Sequence, residues 1–252
     1  MQGIRRDFLP EHLQKVAAAA SIDGVVSVQA QQTVGETQWL LDLADNHSLI
    51  KGVVGWVELA SPKVRPALER FAGNKKLKAV RHVVQAEPDD NFLLRDDFNR
   101  GVKMLEEFSL AYDILIFARH LPVAIQFVDR HPNQVFVLDH MAKPRIKGHE
   151  ISPWRENIRK LARRPNVYCK ISGLVTEADY QAWTKSELRL YFDVVLEAFG
   201  PERLMFGSDW PVCLVACDYA QWHQIVLDWV MELSAKEQSQ ILGGTAMDAY
   251  QL

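Results

Sequence analysis

Acidic and basic side chains in this 252-residue sequence follow directly after short apolar runs. Asp209 comes at the end of Leu-Met-Phe-Gly-Ser, and His140 comes at the end of Val-Phe-Val-Leu-Asp. A carboxylate can take a proton from water, and an imidazole can donate a hydrogen bond to an oxygen that gains negative charge. Together these two residue types indicate hydrolysis at a carbonyl group.

Both residues also fit structural roles. Taken alone, the pattern around His140 favours a satisfied, half-buried histidine over a metal ligand or an acid–base group. A carboxylate at the end of an apolar strand needs a partner or a role, and the structural alternative for Asp209 is the N-cap of the following helix. Other histidines, such as His131, lie in helices or surface loops by pattern and are expected to be solvated.

Further polar side chains lie in or after apolar runs. Arg81 and His82 are adjacent in Leu-Lys-Ala-Val-Arg-His-Val-Val, and adjacent strand residues point to opposite faces, so at most one of them points into a shared site. Lys170 lies on one face with Tyr168 and Ser172, and a lysine that faces an interior must be paired. The candidate catalytic residues are Asp209, His140, His82 and Arg81. The candidate substrate-binding residues are Gln29, Trp56, Gln85, Lys170 and Trp210.

Each of these side chains lies in or just after an apolar run, and the apolar runs read as strands that alternate with helices. Continuous apolar strands between amphipathic helices are typical of a parallel sheet covered by helices. We predict strands at 24–30, 50–57, 77–84, 110–117, 134–139, 167–172 and 203–208. We predict helices at 10–20, 35–47, 62–73, 96–107, 121–130, 153–163, 186–199, 218–232 and 234–242.

Two α/β architectures fit this alternation, a (β/α)8 TIM barrel and an open doubly wound sheet. A doubly wound nucleotide-binding sheet carries a glycine-rich turn after its first strand. Here that turn is Gln29-Ala30-Gln31-Gln32, and no Walker A motif is present. The barrel is therefore favoured, although seven strands are predicted rather than eight. In a barrel the C-terminal ends of the strands meet at one mouth, which would bring the candidate residues together.

Composition and charge argue against several classes of protein. Hydrophobic residues make up 48% and charged residues 24% of the chain, and the net charge of −3 gives no reason to expect nucleic acid or an anionic membrane as a partner. No apolar stretch reaches the about 18 residues of a membrane span, and the N-terminus lacks the apolar region of a signal peptide. Three cysteines are too few for a disulfide framework, and Cys213 and Cys217 lack a second pair of zinc ligands. We expect a cytoplasmic protein with one domain over residues 1–252 and a small-molecule substrate; the sequence is compatible with a homo-oligomer.

Five segments in this order resemble one branch of the amidohydrolase superfamily, the branch of the L-fuconolactone and L-rhamnonolactone hydrolases and 2-pyrone-4,6-dicarboxylate lactonase. The resemblance implies a (β/α)8 TIM barrel of the amidohydrolase type that hydrolyses small ring esters. By this resemblance, Asp209 matches the acidic residue after the eighth strand and His140 matches the histidine after the sixth. The five segments are RHVVQAEPDDNFL (81–93), RHLP (119–122), VLDHMAKP (137–144), CKISGLVTEA (169–178) and GPERLMFGSDWPV (200–212).

The seven predicted strands then correspond to strands two to eight of the family. Its first strand carries an Asp-x-His-x-His segment, which this sequence lacks. Either the chain starts at an internal methionine, or it is a natural variant without strand one. Only His140 and Asp209 remain as candidate metal ligands, so we expect no tightly bound metal and no other cofactor, with a divalent metal such as zinc as the alternative.

The resulting hypothesis is a lactone hydrolase in which Asp209 activates water and His140, His82 or Arg81 donates to the carbonyl oxygen. One alternative is another reaction of the same superfamily, such as decarboxylation of an aromatic acid. The other is an inactive barrel, because loss of strand one would expose unpaired strand edges.

Overall fold

The computed structural model describes residues 4–252 and contains seven parallel strands that alternate with helices. The strands are β1 (Val25–Val28), β2 (Ile50–Gly55), β3 (Leu77–His82), β4 (Ala111–Ile114), β5 (Phe136–Leu138), β6 (Val167–Ile171) and β7 (Leu204–Phe206). Each observed strand lies within its predicted range. They form one sheet in chain order, and each strand pairs with its neighbour in parallel.

The helices follow the predicted pattern with small differences at their ends. They are α1 (Pro10–Ala19), α2 (Val34–Asn46), α3 (Val64–Ala72), α4 (Asp96–Met104), α5 (Leu121–Asp129), α6 (Trp154–Leu161), α7 (Leu174–Glu177), α8 (Lys185–Phe199), α9 (Tyr219–Val230), α10 (Ala235–Ser239) and α11 (Thr245–Tyr250). The short helices α7 and α11 were not predicted. No helix within residues 4–252 is both long and apolar enough to cross a membrane.

The sheet has two ends, because β1 pairs only with β2, and β7 only with β6, among the described strands. All four residues of β1 are partly exposed, whereas all four residues of β4, in the middle of the sheet, are buried. The helix layer continues where the sheet stops, since α1 packs against α9. The architecture is therefore a helix-covered parallel barrel of seven strands.

The inner face of the sheet is filled partly by the last helix. Val54, Ala79, Ala111, Val137 and Met205 come from five different strands and pack with Ala249 and Tyr250 of α11. Alanines on β3 and β4 leave room for the large Tyr250 ring. A helix that follows every strand in the chain therefore completes the interior.

A cluster of buried charges lies beside this apolar packing. Arg81 Nη1 is 2.8 Å from Asp139 Oδ2, and Lys170 Nζ lies 2.6 Å from Asp113 Oδ2 and 2.7 Å from Asp139 Oδ1. The Tyr250 hydroxyl donates to Asp113 Oδ2 over 2.8 Å. Burial acts to raise the pKa of Asp139, but Lys170 and Arg81 outweigh it and hold that pKa well below its usual range. Two cations thus balance two carboxylates that are fully buried.

The contribution of the Tyr250 hydroxyl to stability can be measured directly. Tyr250→Phe leaves Asp113 with one hydrogen-bond donor fewer, and losing a bond to a buried charged group costs about 1.5–3 kcal/mol. We expect the urea midpoint of unfolding to fall accordingly. Met247→Ala is the control on the same helix because Met247 is 54% exposed, and its effect should stay within about 0.5 kcal/mol. Equal midpoints for Tyr250→Phe and wild type would contradict the role of this hydrogen bond.

Candidate active site

Asp209 and His140 meet at the C-terminal ends of the strands, where β7 and β5 lead into their loops. His140 Nε2 is 3.7 Å from Asp209 Oδ1, and each side chain is 13% exposed. A separation of 3.7 Å is longer than a hydrogen bond, so both groups keep capacity for a further partner. The structure therefore brings together the two residues to which the sequence assigned the central chemistry.

The backbone around His140 is strained. His140, Met141, Ala142 and Lys143 all have φ between 49° and 58°, the left-handed region that residues with a Cβ rarely adopt. Each such residue costs on the order of 1–2 kcal/mol. The indole N–H of Trp154 donates to the Met141 carbonyl over 2.7 Å and helps to hold this turn. Asp209 has a φ of 53° as well, so strain coincides with both members of the pair.

Ser172 and Gly173, which follow β6, fix the His140 ring. The Ser172 hydroxyl lies 2.8 Å from His140 Nδ1. Gly173 packs so closely that an added Cβ would be 2.8 Å from His140 Cγ. The His140 ring is therefore held on one side by the hydrogen bond with Ser172 and on another by contact with Gly173. Any larger residue at position 173 would displace the ring or the backbone.

The electrostatic environment keeps His140 neutral. Burial lowers the pKa of His140 below its ordinary value of 6.5, although the Asp209 and Asp139 carboxylates oppose that effect. A neutral imidazole donates from one nitrogen and accepts at the other. When Ser172 donates to Nδ1, the Nε2–H is directed toward Asp209 and the mouth.

The carboxylate of Asp209 does not cap a helix. The short 3₁₀ helix that follows, Val212–Val215, has Pro211 at its N-cap and no side-chain capping bond. Asp209 uses its backbone carbonyl instead, which accepts from the N–H of Cys213 over 2.9 Å. The alternative in which Asp209 caps the following helix is therefore wrong. The carboxylate oxygens of Asp209 remain available to a substrate or water in the mouth.

Arg81 and His82 point in opposite directions, as their adjacency on β3 requires. The guanidinium of Arg81 lies inside the sheet, bound to Asp139 and to the backbone carbonyl of Gln29. Gln29 is fully buried and its side-chain amide donates to the Arg81 carbonyl over 3.1 Å. Both Arg81 and Gln29 are thus committed to partners in the protein.

His82 lies on the opposite side, stacked on Phe92 with ring centroids 4.7 Å apart. The Trp56 indole N–H, which can only donate, is 3.3 Å from His82 Nδ1, so that nitrogen accepts. His82 Nε2 therefore carries the proton and donates to Glu87 Oε1 over 2.7 Å. Among residues 4–252, His140 is the histidine within 4 Å of the Asp209 carboxylate.

The remaining predicted substrate-binding residues have different positions. Lys170 is held between Asp113 and Asp139 in the interior. Trp210 is partly exposed and meets Phe8 edge to face, with centroids 5.1 Å apart. Gln85 has a buried side-chain oxygen without a hydrogen-bond partner in the described part of the chain.

Some residues were missed by sequence reasoning. Asp113, in the apolar run Leu-Ala-Tyr-Asp-Ile-Leu-Ile-Phe, had a signal, because a carboxylate inside such a run requires a buried partner. Glu177 and Tyr250 lie in short helices with no comparable signal. The expectation that His131 is solvated was wrong: it is 5% exposed, and its Nε2 is 2.8 Å from Asn99 Oδ1.

A parallel barrel with a carboxylate and an imidazole at the C-terminal ends of its strands defines a class of hydrolytic barrel enzymes. The chain belongs to the amidohydrolase family, whose model, described as Amidohydrolase, matches residues 3–252. Membership of this family, expected from five short segments, is confirmed.

Several relatives are similar over nearly the whole chain. An L-fucono-1,5-lactonase of Burkholderia multivorans is 41% identical over 99% of this chain and 88% of its own length. An L-fucono-1,5-lactonase of Burkholderia ambifaria is 33% identical over 100% of this chain and 88% of its own length. A crystal structure of an amidohydrolase from Burkholderia multivorans with bound zinc has a TM-score of 0.97 at 40% identity, covering 100% of this chain and 91% of that chain.

The zinc in that related structure raises the question of a metal site here. A catalytic zinc site normally takes three protein ligands. Within residues 4–252, no three or more His, Cys, Asp or Glu side chains are grouped so that they could hold a metal ion. His140 and Asp209 supply two donors, and Ser172 engages the other imidazole nitrogen. These residues fall short of a zinc site by themselves, and the expectation of no tightly bound metal stays a prediction.

Gly173 tests how closely the His140 position is constrained. Gly173→Ala places a methyl group against the imidazole at a residue with φ of 69°, so the ring or the turn must shift. We expect unfolding to become easier by about 1–3 kcal/mol and the imidazole NMR signals of His140 to move. Gly73→Ala is the matched control, since φ there is −72° and nothing lies within 4 Å. Unchanged His140 signals in Gly173→Ala would contradict the close packing.

Proposed function

We propose that this protein is a lactonase that opens a small sugar lactone with water. The observation that carries the proposal is the Asp209–His140 pair, with its atoms 3.7 Å apart in the mouth of the barrel. The names of two relatives, L-fucono-1,5-lactonase at 41% and 33% identity, support a six-membered sugar lactone as the substrate. They favour ester hydrolysis over decarboxylation and over an inactive barrel.

The reaction needs an activated water, a donor to the carbonyl oxygen and a proton for the leaving oxygen. Asp209 takes a proton from water as the water oxygen bonds to the lactone carbonyl carbon. His140 donates from Nε2 to the carbonyl oxygen, which becomes negatively charged in the tetrahedral intermediate. The intermediate collapses with cleavage of the ring C–O bond, and Asp209 returns its proton to the leaving alkoxide. The product is the open-chain hydroxy acid.

His140 suits the donor role better than the two alternatives on β3. Arg81 is bound to Asp139, and His82 donates to Glu87, so each would have to give up a buried partner. Neutral His140 has an N–H at Nε2 that is not engaged by a buried partner, and Ser172 fixes the orientation of the ring. A pre-oriented donor costs no reorganisation when charge develops on the substrate.

The walls of the substrate site are also part of the proposal. Trp210 directly follows Asp209 and is partly exposed, so it offers apolar surface for the lactone ring. We infer a reducing compartment such as the cytoplasm, because all three cysteines are free and buried.

Asp209→Asn tests the general-base role. The amide keeps the size of the side chain but cannot take a proton, and general-base catalysis contributes about 10²- to 10⁴-fold. We expect kcat for L-fucono-1,5-lactone to fall by that factor, measured with a pH indicator after subtraction of spontaneous hydrolysis. Asp228→Asn, which removes an exposed ion pair with Lys185, should retain wild-type activity. Equal rates for Asp209→Asn and wild type would remove Asp209 from the mechanism.

The neutral state of His140 predicts the pH dependence. Burial lowers the pKa of His140 below 6.5, so the ring takes up a proton only in more acidic solution. The imidazolium would then pair with Asp209 and compete with water for its carboxylate. We expect kcat/KM to be constant near neutrality and to fall as the pH decreases below about 6.5. The check is an NMR titration of the His140 ring beside the kinetic profile; a midpoint of that ring above 6.5 would contradict the role of burial.

A further inference from the structure

Glu177 and Lys143 face each other in the same mouth as the reacting pair. Lys143 is the last residue of the left-handed turn that begins at His140, and Glu177 ends α7. Lys143 Nζ is 3.7 Å from Glu177 Oε1, and the two side chains are 17% and 21% exposed. That distance is too long for a hydrogen bond, so two largely buried charges face each other without a direct bond.

These two groups act electrostatically on the catalytic residues. Burial raises the pKa of Glu177, Lys143 opposes this effect, and the Asp209 carboxylate adds to it. The Lys143 ammonium also contributes to the low pKa of His140. Lys143 lies three residues after His140, and Glu177 lies four residues after Gly173, which packs against the His140 ring. Both side chains therefore belong to the segments that border the catalytic imidazole.

The arrangement fits a hydroxyl group. A hydroxyl donates one hydrogen bond and accepts others, so it can bridge a carboxylate and an ammonium that are too far apart to bond directly. Both side chains keep some exposure, 17% for Lys143 and 21% for Glu177, so their charged ends can be reached from the mouth.

The same arrangement disfavours a substrate with two carboxylates. Asp209 and Glu177 would both repel it, and the buried cations Arg81 and Lys170 are already paired with Asp139. Lys143 alone would not neutralise two negative charges. The charge distribution thus favours binding of an uncharged sugar lactone over a doubly charged pyrone dicarboxylate.

We propose that Glu177 and Lys143 are the specificity-determining pair for the substrate, in which a ring hydroxyl donates to Glu177 and accepts from Lys143. The proposal rests on the proposed lactonase function and names the residues that recognise the hydroxyl groups of the sugar lactone. In this proposal Glu177 and Lys143 recognise the substrate hydroxyl, whereas Asp209 activates water.

The test compares a lactone that has ring hydroxyls with one that has none. Glu177→Gln and Lys143→Met are assayed on L-fucono-1,5-lactone and on δ-valerolactone. We expect the ratio of kcat/KM for the first lactone to that for the second to fall about tenfold in each variant, mainly through KM. Glu177→Gln weakens a charge-assisted hydrogen bond and Lys143→Met removes one. Glu197→Gln, which breaks an exposed ion pair with Arg159, should keep the wild-type ratio.

The ratio separates failure of this proposal from failure of the lactonase function. An unchanged ratio of kcat/KM, or equal losses on both lactones, would overturn the role of the pair in hydroxyl recognition without contradicting lactone hydrolysis. Failure of the wild type to open either lactone would overturn the lactonase function itself. Titration calorimetry with L-fucose, which carries ring hydroxyls but no lactone bond, then decides independently: weaker binding by Glu177→Gln than by wild type supports the pair, and equal binding contradicts it.

Discussion

The buried charge cluster inside the sheet is the interaction on which the rest of the structure depends. Its members, Arg81, Asp113, Asp139, Lys170 and Tyr250, come from β3, β4, the end of β5, β6 and α11. An ion taken out of water costs several kcal/mol unless it is paired, and removing one partner leaves the other uncompensated. A shift of one residue in any of these strands would turn its charged side chain toward the helices. The cluster therefore penalises a one-residue slip in any of these strands.

The same cluster supports the catalytic geometry. Asp139 directly precedes His140, so the two cations that hold Asp139 also fix the point at which the left-handed turn begins. The strain of that turn is tolerated because Asp139 anchors its beginning in the interior and Trp154 holds the Met141 carbonyl within it. Ser172 and Gly173 then set the direction of the ring. The position of the His140 imidazole is thus decided by contacts within the protein.

Much of the fold and part of the site could be predicted from the sequence. All seven strands were predicted because the strands of a helix-covered parallel sheet are largely apolar, with few polar interruptions. The proximity of Asp209 and His140 followed from their places after two such strands. The left-handed turn could not be predicted, since methionine, alanine and lysine carry no local preference for positive φ, and the modest enrichment of histidine there does not indicate four such residues in a row. Tyr250 was missed because its partner, Asp113, lies 137 residues earlier and only the tertiary fold brings them together.

The place of α11 in the chain has a consequence for the order of folding during synthesis. Asp113 is made 137 residues before the Tyr250 hydroxyl that bonds to it, an interval of about 7–27 s at about 5–20 residues per second. During that interval β5, β6 and β7 are still being made, and the strands already present lack the aromatic ring that fills their inner face. The barrel can therefore collapse early, but its interior becomes fully packed and hydrogen-bonded only after every strand has been made. Packing of the inner face is therefore the final step of folding, because it requires Tyr250 near the C-terminal end of the chain.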